Sequence, residues 1–260
     1  MKISVIMPNY NGARFLRSAL DSVLAQREDG VDLEFIVIDG ASTDGSLDII
    51  RSYGEQVNVL VSEPDNGPAQ AINKGLDRAS GDVLAWLNAD DRYCPHTLKR
   101  VADAFANHAR TALMFGRCPI IDEEDREIRR PITRFKELFF PLNSRFTIQS
   151  INYISQPATF FRRSAFDQAG PLREDLRAAW DYEFFLRLWP HGGGRRISGT
   201  PLADFRWHPS SISGTDFQTQ FQEEFQAAAA DAGRYSLQTF LHWFVRWGIV
   251  GAYEVMRRVR

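Results

Sequence analysis

The chain has 260 residues and a 44% hydrophobic share, enough for one large or two small globular domains with a true core. With 31 basic and 33 acidic residues the chain has a formal charge of −2, which argues against bulk nucleic acid as its main partner. Any anion that the protein binds must therefore be held by a local site and not by the overall charge. Cys94 and Cys118 have no CxxC or CxxH neighbour, which indicates neither a disulfide framework nor a zinc site but a reduced, cytoplasmic setting.

Up to about residue 121, short β-rich apolar runs alternate with segments of helical periodicity. The apolar run in the N-terminal MKISVIMPNYNG is too short for a signal-peptide core or a membrane span, so this segment is predicted to hold the first strand. Strands are predicted at 3–7, 33–38, 57–61, 83–87 and 112–115, with helices from 12, from 42 or 44, at 68–79 and at 95–107. Pro68 and Pro95 suit the first turn of a helix. This alternation predicts an open, mostly parallel α/β sheet that binds ligands at the carboxyl ends of its strands.

The pattern changes after residue 121. A charged hairpin or turn is predicted at 122–126, and residues 130–150 lack clear periodicity, which indicates a mobile or acceptor-facing segment. A strand is predicted at 158–162, followed by helices at 164–169 and 180–189. These changes predict a division of the chain into residues 1–121, residues 122–215 and a helical tail at 216–260.

Four polar clusters, at 8–11, 39–42, 63–67 and 88–91, each close a predicted strand, so they should converge on one edge of the sheet. In the stretch WLNADD, Asp90 and Asp91 directly follow a buried strand, where a carboxylate is costly unless a metal, a cation or a ligand lies near. One acid could merely pair with Arg92 or start a helix. Alternatively, carboxylate oxygens suit Mg²⁺ or Mn²⁺ bridging a substrate diphosphate.

Three further positions allow both a structural and a functional interpretation. Asp39 is either a helix cap or a carboxylate that binds a base or a ribose, and the absence of GxGxxG and GxxxxGK[ST] patterns disfavours a Rossmann dinucleotide site or a P-loop. Asp181 and Glu183 either stabilise a helix N-terminus, worth roughly 0.3–1 kcal/mol, or include a general base. His208 is either a packed histidine or a third metal ligand.

Taken in order, six stretches resemble the inverting family 2 glycosyltransferases, nucleotide-sugar-dependent enzymes of the glycosyltransferase A fold. They span residues 3 to 189 and read SVIMPNYNG, FIVIDGASTDGS, SEPDNGPAQAINKGL, GDVLAWLNADD, QPATFFRRSAFDQAG and WDYEFFLRL. The resemblance implies a Rossmann-like, mostly parallel sheet with helices on both faces, followed here by a C-terminal amphipathic helical tail at 216–260. It also implies that 1–121 form the nucleotide-sugar-binding half, and 122–215 the acceptor-side half, of one catalytic domain.

The resemblance also implies roles for individual residues. The nucleotide and donor sugar would be bound by Pro8, Tyr10, Asn11, Asp39 (which would hold the base, commonly uracil), Asn66, Gly67, Asn88 and Asp91. Asn88 stands where the family's D-x-D motif begins with an acid, so Asp90 becomes the expected ligand of Mn²⁺ or Mg²⁺, with His208 as a further ligand. Asp181 maps to the catalytic base, although Trp180 replaces the acid that usually precedes it.

The implied reaction moves a sugar from a nucleotide-sugar donor, expected to be a UDP-sugar, to a saccharide or lipid-linked acceptor in polysaccharide or cell-surface glycan biosynthesis. A sugar nucleotidyltransferase is an alternative, but it should carry a glycine-rich basic loop after the first strand, which MPNYNGARF lacks. A non-catalytic nucleotide-sugar-binding module is the other alternative.

The tail FLHWFVRWGIVGAYEVMRRVR, residues 240–260, can form an amphipathic helix. Its apolar face would hold Trp243, Phe244, Trp247, Val250, Ala252, Tyr253 and Met256. This face could pack on the protein itself or on a dimer partner, or it could lie on the inner surface of the cell membrane. The charged Arg246 and Glu254 argue against a membrane span.

Overall fold

The structure is a computed structural model that describes residues 1–211 and 217–258, the side chains of 217 and 248–258 excepted. In these residues the strands are β1 Lys2–Asn9, β2 Asp32–Asp39, β3 Val59–Ser62, β4 Val83–Trp86, β5 Arg92–Tyr93, β6 Leu113–Phe115, β7 Ile120–Ile121, β8 Glu127–Ile128, β9 Thr159–Arg162, β10 Gly194–Arg196 and β11 Ala203–Arg206. The helices are α1 Ala13–Leu24, α2 Ser46–Arg51, α3 Pro68–Leu76, α4 Thr97–Asn107, α5 Arg130–Glu137, α6 Arg145–Ser150, α7 Arg163–Ala169, α8 Trp180–Leu188, α9 Phe217–Ala232 and α10 Leu237–Arg258.

The main sheet has the order β10-β6-β9-β4-β1-β2-β3. Strands β1 to β4 run parallel, and β9 alone is antiparallel to its neighbours β4 and β6. Alternate residues of the strands face opposite sides. Ile6 and Trp86 join one buried cluster with residues of α3 and α8, whereas Val5 and Val37 join another with residues of α1 and α4. The predicted open, mostly parallel sheet with helices on both faces is confirmed.

A second sheet, ordered β5-β11-β7-β8, lies beside the main one. Its β7–β8 pair is the predicted charged hairpin, closed by the Asp122 amide donating to the Arg126 carbonyl at 3.0 Å. Strand β11 leads to His208, which follows it in the chain. Just before β11, the Leu202 carbonyl accepts hydrogen bonds from the Cys94 amide and the Thr97 hydroxyl, and these fix the start of the strand.

Two local predictions need correction. Helix α4 begins at Thr97 after His96, which adopts a left-handed backbone with φ of 61°, so Pro95 precedes the helix instead of lying in its first turn. The segment 130–150, which was predicted to lack clear periodicity, contains α5 and α6. With eight and six residues, these helices are shorter than the window of about 11–18 residues over which helical periodicity is recognised. The threefold domain division remains a prediction, and its boundary at 215/216 lies outside the described residues.

The predicted C-terminal helical tail contains two helices, α9 and α10, that pack on α6 and α8. His242 of α10 is buried, with its ring 5.8 Å from that of Tyr182 in α8, and Ala228 of α9 is also buried. Trp243 and Trp247 are in contrast exposed by 43% and 54%. The side chains of Val250, Ala252, Tyr253 and Met256, which were predicted to extend the apolar face, lie outside the described residues. Over the part of the chain that is described, no helix combines the length and apolar character that a membrane crossing needs.

Candidate active site

A cavity of about 1550 Å³ opens at the carboxyl ends of β1 and β4. Its wall combines loops that follow β1 to β4 with residues of α5, α8, α9 and α10. Nine of the eleven predicted site residues line it, namely Pro8, Tyr10, Asn11, Asn66, Gly67, Asn88, Asp90, Asp181 and His208. The predicted convergence of the four polar clusters on one sheet edge is therefore observed, while Asp39 and Asp91 lie behind the wall.

The loops after β1 and β2 are joined by reciprocal hydrogen bonds. The backbone N–H of Asn11 donates to Ser42 Oγ at 2.9 Å, and the backbone N–H of Thr43 donates to the side-chain Oδ1 of Asn11 at 2.9 Å. Asn11 and Ala41 both adopt left-handed backbones, with φ of 50° and 61°, a conformation that asparagine tolerates better than alanine. Tyr10 remains 69% exposed at the mouth, where its ring can stack on a planar ligand.

Asp39 is fully buried beneath these loops and serves as their anchor. Its carboxylate accepts from Asn9 Nδ2 at 2.7 Å, from the Ser42 hydroxyl at 2.5 Å and amide at 3.1 Å, and from Ser62 Oγ at 2.8 Å. Burial raises the pKa of Asp39, but these hydrogen bonds outweigh it and lower the pKa below its usual value. Four donors fill the acceptor positions of a carboxylate, so direct contact with a base would require one donor to leave.

The loop after β3 is shaped by close backbone approaches. Asp65 Oδ1 accepts from the Gly67 amide at 2.9 Å, and Gly67 has φ of 130°, which favours glycine, directly before α3. A Cβ on Gly40 would lie 2.6 Å from Asp65 Oδ2, so the loops after β2 and β3 touch here. Asp65 lines the cavity and was not among the predicted site residues.

Asp90 and His208 meet although 118 positions separate them. Asp90 Oδ2 lies 3.0 Å from His208 Nε2, and His208 Nδ1 lies 2.9 Å from Ser210 Oγ. The His208 ring also packs against Phe15, with centroids 5.2 Å apart. The structure therefore brings the two predicted metal ligands together. In the described ranges, no third histidine, cysteine or acid completes a protein-only metal cluster with them.

Asp91 turns away from the cavity and is 1% exposed. Its Oδ1 accepts from the Arg206 amide at 2.8 Å and its Oδ2 from Asn88 Nδ2 at 3.2 Å, so it ties β11 to the end of β4. Burial first, and then the neighbouring charge of Asp90, raises the pKa of Asp91 well above its usual value. The side chains of the two adjacent acids thus point in different directions, as predicted.

Asp181 is the second residue of α8 and lines the cavity. Burial raises the pKa of Asp181 to about 6, although the Tyr182 amide, which donates to Oδ1 at 2.7 Å, and the positive charge of Lys136 lower it. Glu183 forms a two-point ion pair with Arg187 at 2.8 and 2.9 Å and is therefore structural. The structure leaves Asp181 as the acid of this helix that can accept a proton.

Several polar cavity residues were not predicted from the sequence. Glu224 on α9 is 5% exposed, and burial raises its pKa to about 7 against a hydrogen bond from Asn152 that lowers it. Thr133 and Lys136 of α5 also line the cavity. Glu224 lies in QTQFQEEFQ, which reads as an ordinary polar helix, so no local signal marks it as buried.

The sequence and the structure were compared with known proteins. The model of the family described as Glycosyl transferase family 2 matches residues 4–170. An uncharacterized glycosyltransferase of Nostoc sp. is 35% identical over 178 residues, which cover 66% of this chain and 54% of the relative. A PGL/p-HBAD biosynthesis glycosyltransferase of Mycobacterium bovis is 31% identical over 197 residues, covering 71% of this chain and 68% of the relative. The chain thus spans only about half the length of the Nostoc relative.

Solved structures are also similar in fold. S. aureus TarS 1-349 in complex with UDP-GlcNAc superposes with a TM-score of 0.71 at 21% identity, covering 89% of this chain and 66% of that one. The mannosyltransferase PcManGT from Pyrobaculum calidifontis, in complex with GDP-Man and Mn²⁺, gives a TM-score of 0.68 at 22% identity, covering 92% of this chain and 68% of that one. These likenesses confirm the predicted glycosyltransferase A-type fold.

Proposed function

Because the chain belongs to the family 2 glycosyltransferases, we propose that it transfers one sugar from a nucleotide-sugar donor to a saccharide or lipid-linked acceptor, with inversion at the anomeric carbon. The observation that carries this proposal is a single cavity of about 1550 Å³ that holds the Asp90–His208 pair together with Asp181. A leaving-group site and a base facing one cavity are what a single displacement requires.

The donor nucleotide is proposed to bind among the loops after β1, β2 and β3. Tyr10 offers an exposed ring on which the base can stack. The same cavity is lined by Pro8, Asn11, Asn66 and Gly67. Asp39 is proposed to act through Asn9 and Ser42, which it holds in place. Asn88 is proposed to face the ribose or donor sugar and Asp91 to support Asp90 from behind. The base is proposed to be uracil, consistent with the UDP-GlcNAc complex of TarS.

The residues present fit a divalent ion, Mn²⁺ or Mg²⁺. Asp90 Oδ2 and His208 Nε2 lie 3.0 Å apart and face the same cavity, so both could hold one ion. With its proton on Nδ1 and donated to Ser210 Oγ, His208 would keep the Nε2 lone pair for that ion. The ion would supply positive charge for the diphosphate leaving group.

Asp181 is proposed to be the general base. It takes the proton of the acceptor hydroxyl, whose oxygen forms a bond to the anomeric carbon as the bond from that carbon to the diphosphate oxygen breaks. The nucleoside diphosphate leaves with the bonding electron pair. Attack from the face opposite the leaving group inverts the anomeric configuration.

We further propose that α10 contacts a membrane surface that carries a lipid-linked acceptor, which would place the protein on the inner face of the cell membrane. Phe240, Trp243, Phe244 and Trp247 follow helical spacing and are each 43–57% exposed. On the other side of the helix, His242 and Arg246 line the cavity. An exposed aromatic stripe of this kind suits the headgroup region of a bilayer, and Arg257 and Arg258 in the same helix favour anionic lipids.

The membrane proposal is tested by sedimentation with vesicles of phosphatidylglycerol or of phosphatidylcholine. The double substitution Trp243→Ser and Trp247→Ser should abolish binding to anionic vesicles, whereas Leu60→Ser, at an exposed apolar residue of β3, should leave it intact. Equal binding of all three proteins, or no binding of the wild type, would show that α10 does not serve this purpose.

The transfer proposal is tested by a thermal-shift panel of UDP- and GDP-sugars with and without Mn²⁺, followed by measurement of nucleotide release from the donor that binds. Metal-dependent binding of one donor with turnover supports transfer. Binding with no turnover on any acceptor would favour the non-catalytic module, and release of pyrophosphate would favour a nucleotidyltransferase.

A further inference from the structure

Helix α9 carries two adjacent acids, one in the cavity wall and one beside it, and the reaction proposed above uses neither. Glu223 and Glu224 are one residue apart on a helix, so their side chains point about 100° from each other. Glu224 lines the cavity, while Glu223 contacts the loop before α8. Both lie beyond residues 4–170, the part of the chain that the family model matches.

Glu224 is a buried carboxylate with spare capacity to accept hydrogen bonds. Its Oε1 accepts from Asn152 Nδ2 at 3.0 Å and from Gln220 Nε2 at 3.2 Å. A carboxylate has about four acceptor positions, so two donors leave it half satisfied. Since an incompletely bonded buried acid is costly, its retention in a ligand cavity points to a ligand that supplies the missing donors.

The polar atoms that share the cavity wall with Glu224 suit hydroxyl groups. Within residues 1–211 and 217–258, Thr133 Oγ1 and Asn152 Oδ1 are buried without a hydrogen-bond partner, and buried polar atoms of this kind mark positions for a ligand or water. Lys136, one turn along α5 from Thr133, is close enough for its charge to act on both Asp181 and Glu224. A hydroxyl both donates and accepts, so a polyol can satisfy this mixture.

Glu223 holds the chain that leads into α8. Its carboxylate accepts from the amides of Arg177, Ala178 and Ala179 at 2.9, 2.9 and 3.0 Å. Helix α8 has no side-chain cap from its own segment, so an acid from another helix supplies the negative charge that a helix N-terminus favours. Asp181 follows two residues after the last of these amides, so its place in the cavity depends on this contact.

Given the proposed transfer reaction, we propose that Glu224 binds a hydroxyl of an acceptor sugar beside the hydroxyl that Asp181 deprotonates, and that Glu223 positions Asp181 by holding the loop before α8. The acceptor that enters this cavity is therefore a sugar with neighbouring hydroxyls. A simple alcohol, which has one hydroxyl, engages Asp181 but leaves Glu224 and Asn152 unsatisfied.

The binding role of Glu224 is tested with octyl glucoside, octyl galactoside and octyl mannoside as probes, by saturation-transfer NMR on the wild type, Glu224→Ala, Glu224→Gln and the exposed α9 control Gln226→Ala. Loss of hydrogen bonds to a charged group predicts about tenfold or more weaker glycoside binding for Glu224→Ala and an intermediate loss for Glu224→Gln. UDP binding and the affinity of the control should stay unchanged. Unchanged glycoside binding in Glu224→Ala, or no glycoside binding by a wild type that binds UDP, overturns the assignment.

The positioning role of Glu223 is tested by the slow hydrolysis of the donor selected in the thermal-shift panel, in which water replaces the acceptor. Glu223→Ala should lower kcat about tenfold or more with the donor KM unchanged, and Glu223→Gln, which keeps one acceptor oxygen, should restore most of it. Equal kcat in all forms, or equal losses in both variants, removes this role. Glycoside binding without any nucleotide binding would refute the transfer reaction while leaving the Glu224 subsite standing, so the two failures are distinguishable.

Discussion

The substitution Asp181→Asn tests the proposed base through the pH dependence of the rate. Burial at the start of α8 raises the pKa of Asp181 from 3.8 to about 6. A base must be ionised to act, so the rate is high above this pKa and is lost as the pH falls through it. A group with a pKa of about 6 is about nine-tenths ionised at pH 7 and about one-tenth at pH 5, which predicts a roughly ninefold to tenfold lower rate at pH 5.

The measurement is the initial rate of nucleotide release at saturating donor and Mn²⁺, from about pH 5 to pH 8.5. The wild type should show an acid limb centred near pH 6. Asp181→Asn should lower the rate by about 10²–10⁴-fold and abolish that limb, because the amide cannot take the proton. The matched control is Asp175→Asn. Asp175 is an acid of the loop before α8 that pairs with Arg173, and its removal should leave the profile unchanged.

Two results would refute this reasoning. An acid limb near pH 4 would mean that the base is an acid with an ordinary pKa and that burial does not tune it. A wild-type rate in Asp181→Asn would mean that another group takes the proton, and Glu224 is the first candidate because it is a buried acid that lines the same cavity.

Three further outcomes are expected. His208→Ala should raise the Mn²⁺ concentration for half-maximal activity by about tenfold or more, measured by metal titration, and an unchanged value would exclude His208 as a ligand. Burial acts to raise the pKa of Glu34, but hydrogen bonds from Lys2, Ser4 and Ser80 outweigh it and lower this pKa from 4.5 to about 2. The stabilisation from these hydrogen bonds is present above pH 4.5 and is lost as the pH falls toward 2. Glu34→Gln should therefore lower the free energy of unfolding, measured with urea, by about 1–3 kcal/mol at pH 7 and by less at pH 3. Burial raises the pKa of Glu224 from 4.5 to about 7, so ionisation of Glu224 destabilises the folded protein above pH 7 and has no such effect below pH 4.5. Glu224→Gln should therefore raise the Tm more at pH 8 than at pH 5. Equal shifts in Tm at the two pH values would contradict this.

Most of the sheet could be predicted because each of the strands β1 to β4 is a local apolar run followed by polar residues, whereas β10, with the sequence GRR, shows no such run. Strands β1, β2 and β4 lie where the apolar runs predict them. The antiparallel direction of β9 could not be predicted in this way, because it depends on the path of the chain from 116 to 158 and not on the residues Thr159–Arg162 themselves. The start of α4 was missed for a similar reason, since nothing in the sequence marks His96 as left-handed.

The candidate site divides in the same way. Residues that end a strand, such as Asn11 and Asp90, could be predicted because the edge of an α/β sheet gathers them. The pairing of Asp90 with His208 rests on the resemblance to a family, since the sequence alone left His208 with two interpretations. Glu224 could not be predicted, because its burial results from the packing of α9 against α8 and α6 and its own helix shows little amphipathic character.

Asp39 and Asp181 show why the role of an acid at this site depends on its donors more than on its position. Asp39 is fully buried beneath the cavity and Asp181 is half-buried in its wall, yet the pKa of Asp39 is lowered and that of Asp181 is raised. Asp39 is surrounded by four hydrogen-bond donors, which stabilise its charge and leave it no tendency to take a proton. Among the described residues, the Asp181 carboxylate accepts from the neighbouring Tyr182 amide, and the effect of burial on its pKa outweighs this hydrogen bond. The acid that we propose as the base is therefore the one that the fold leaves short of donors. Because donors such as Ser62 come from distant parts of the chain, sequence spacing could nominate both acids but could not assign their different roles.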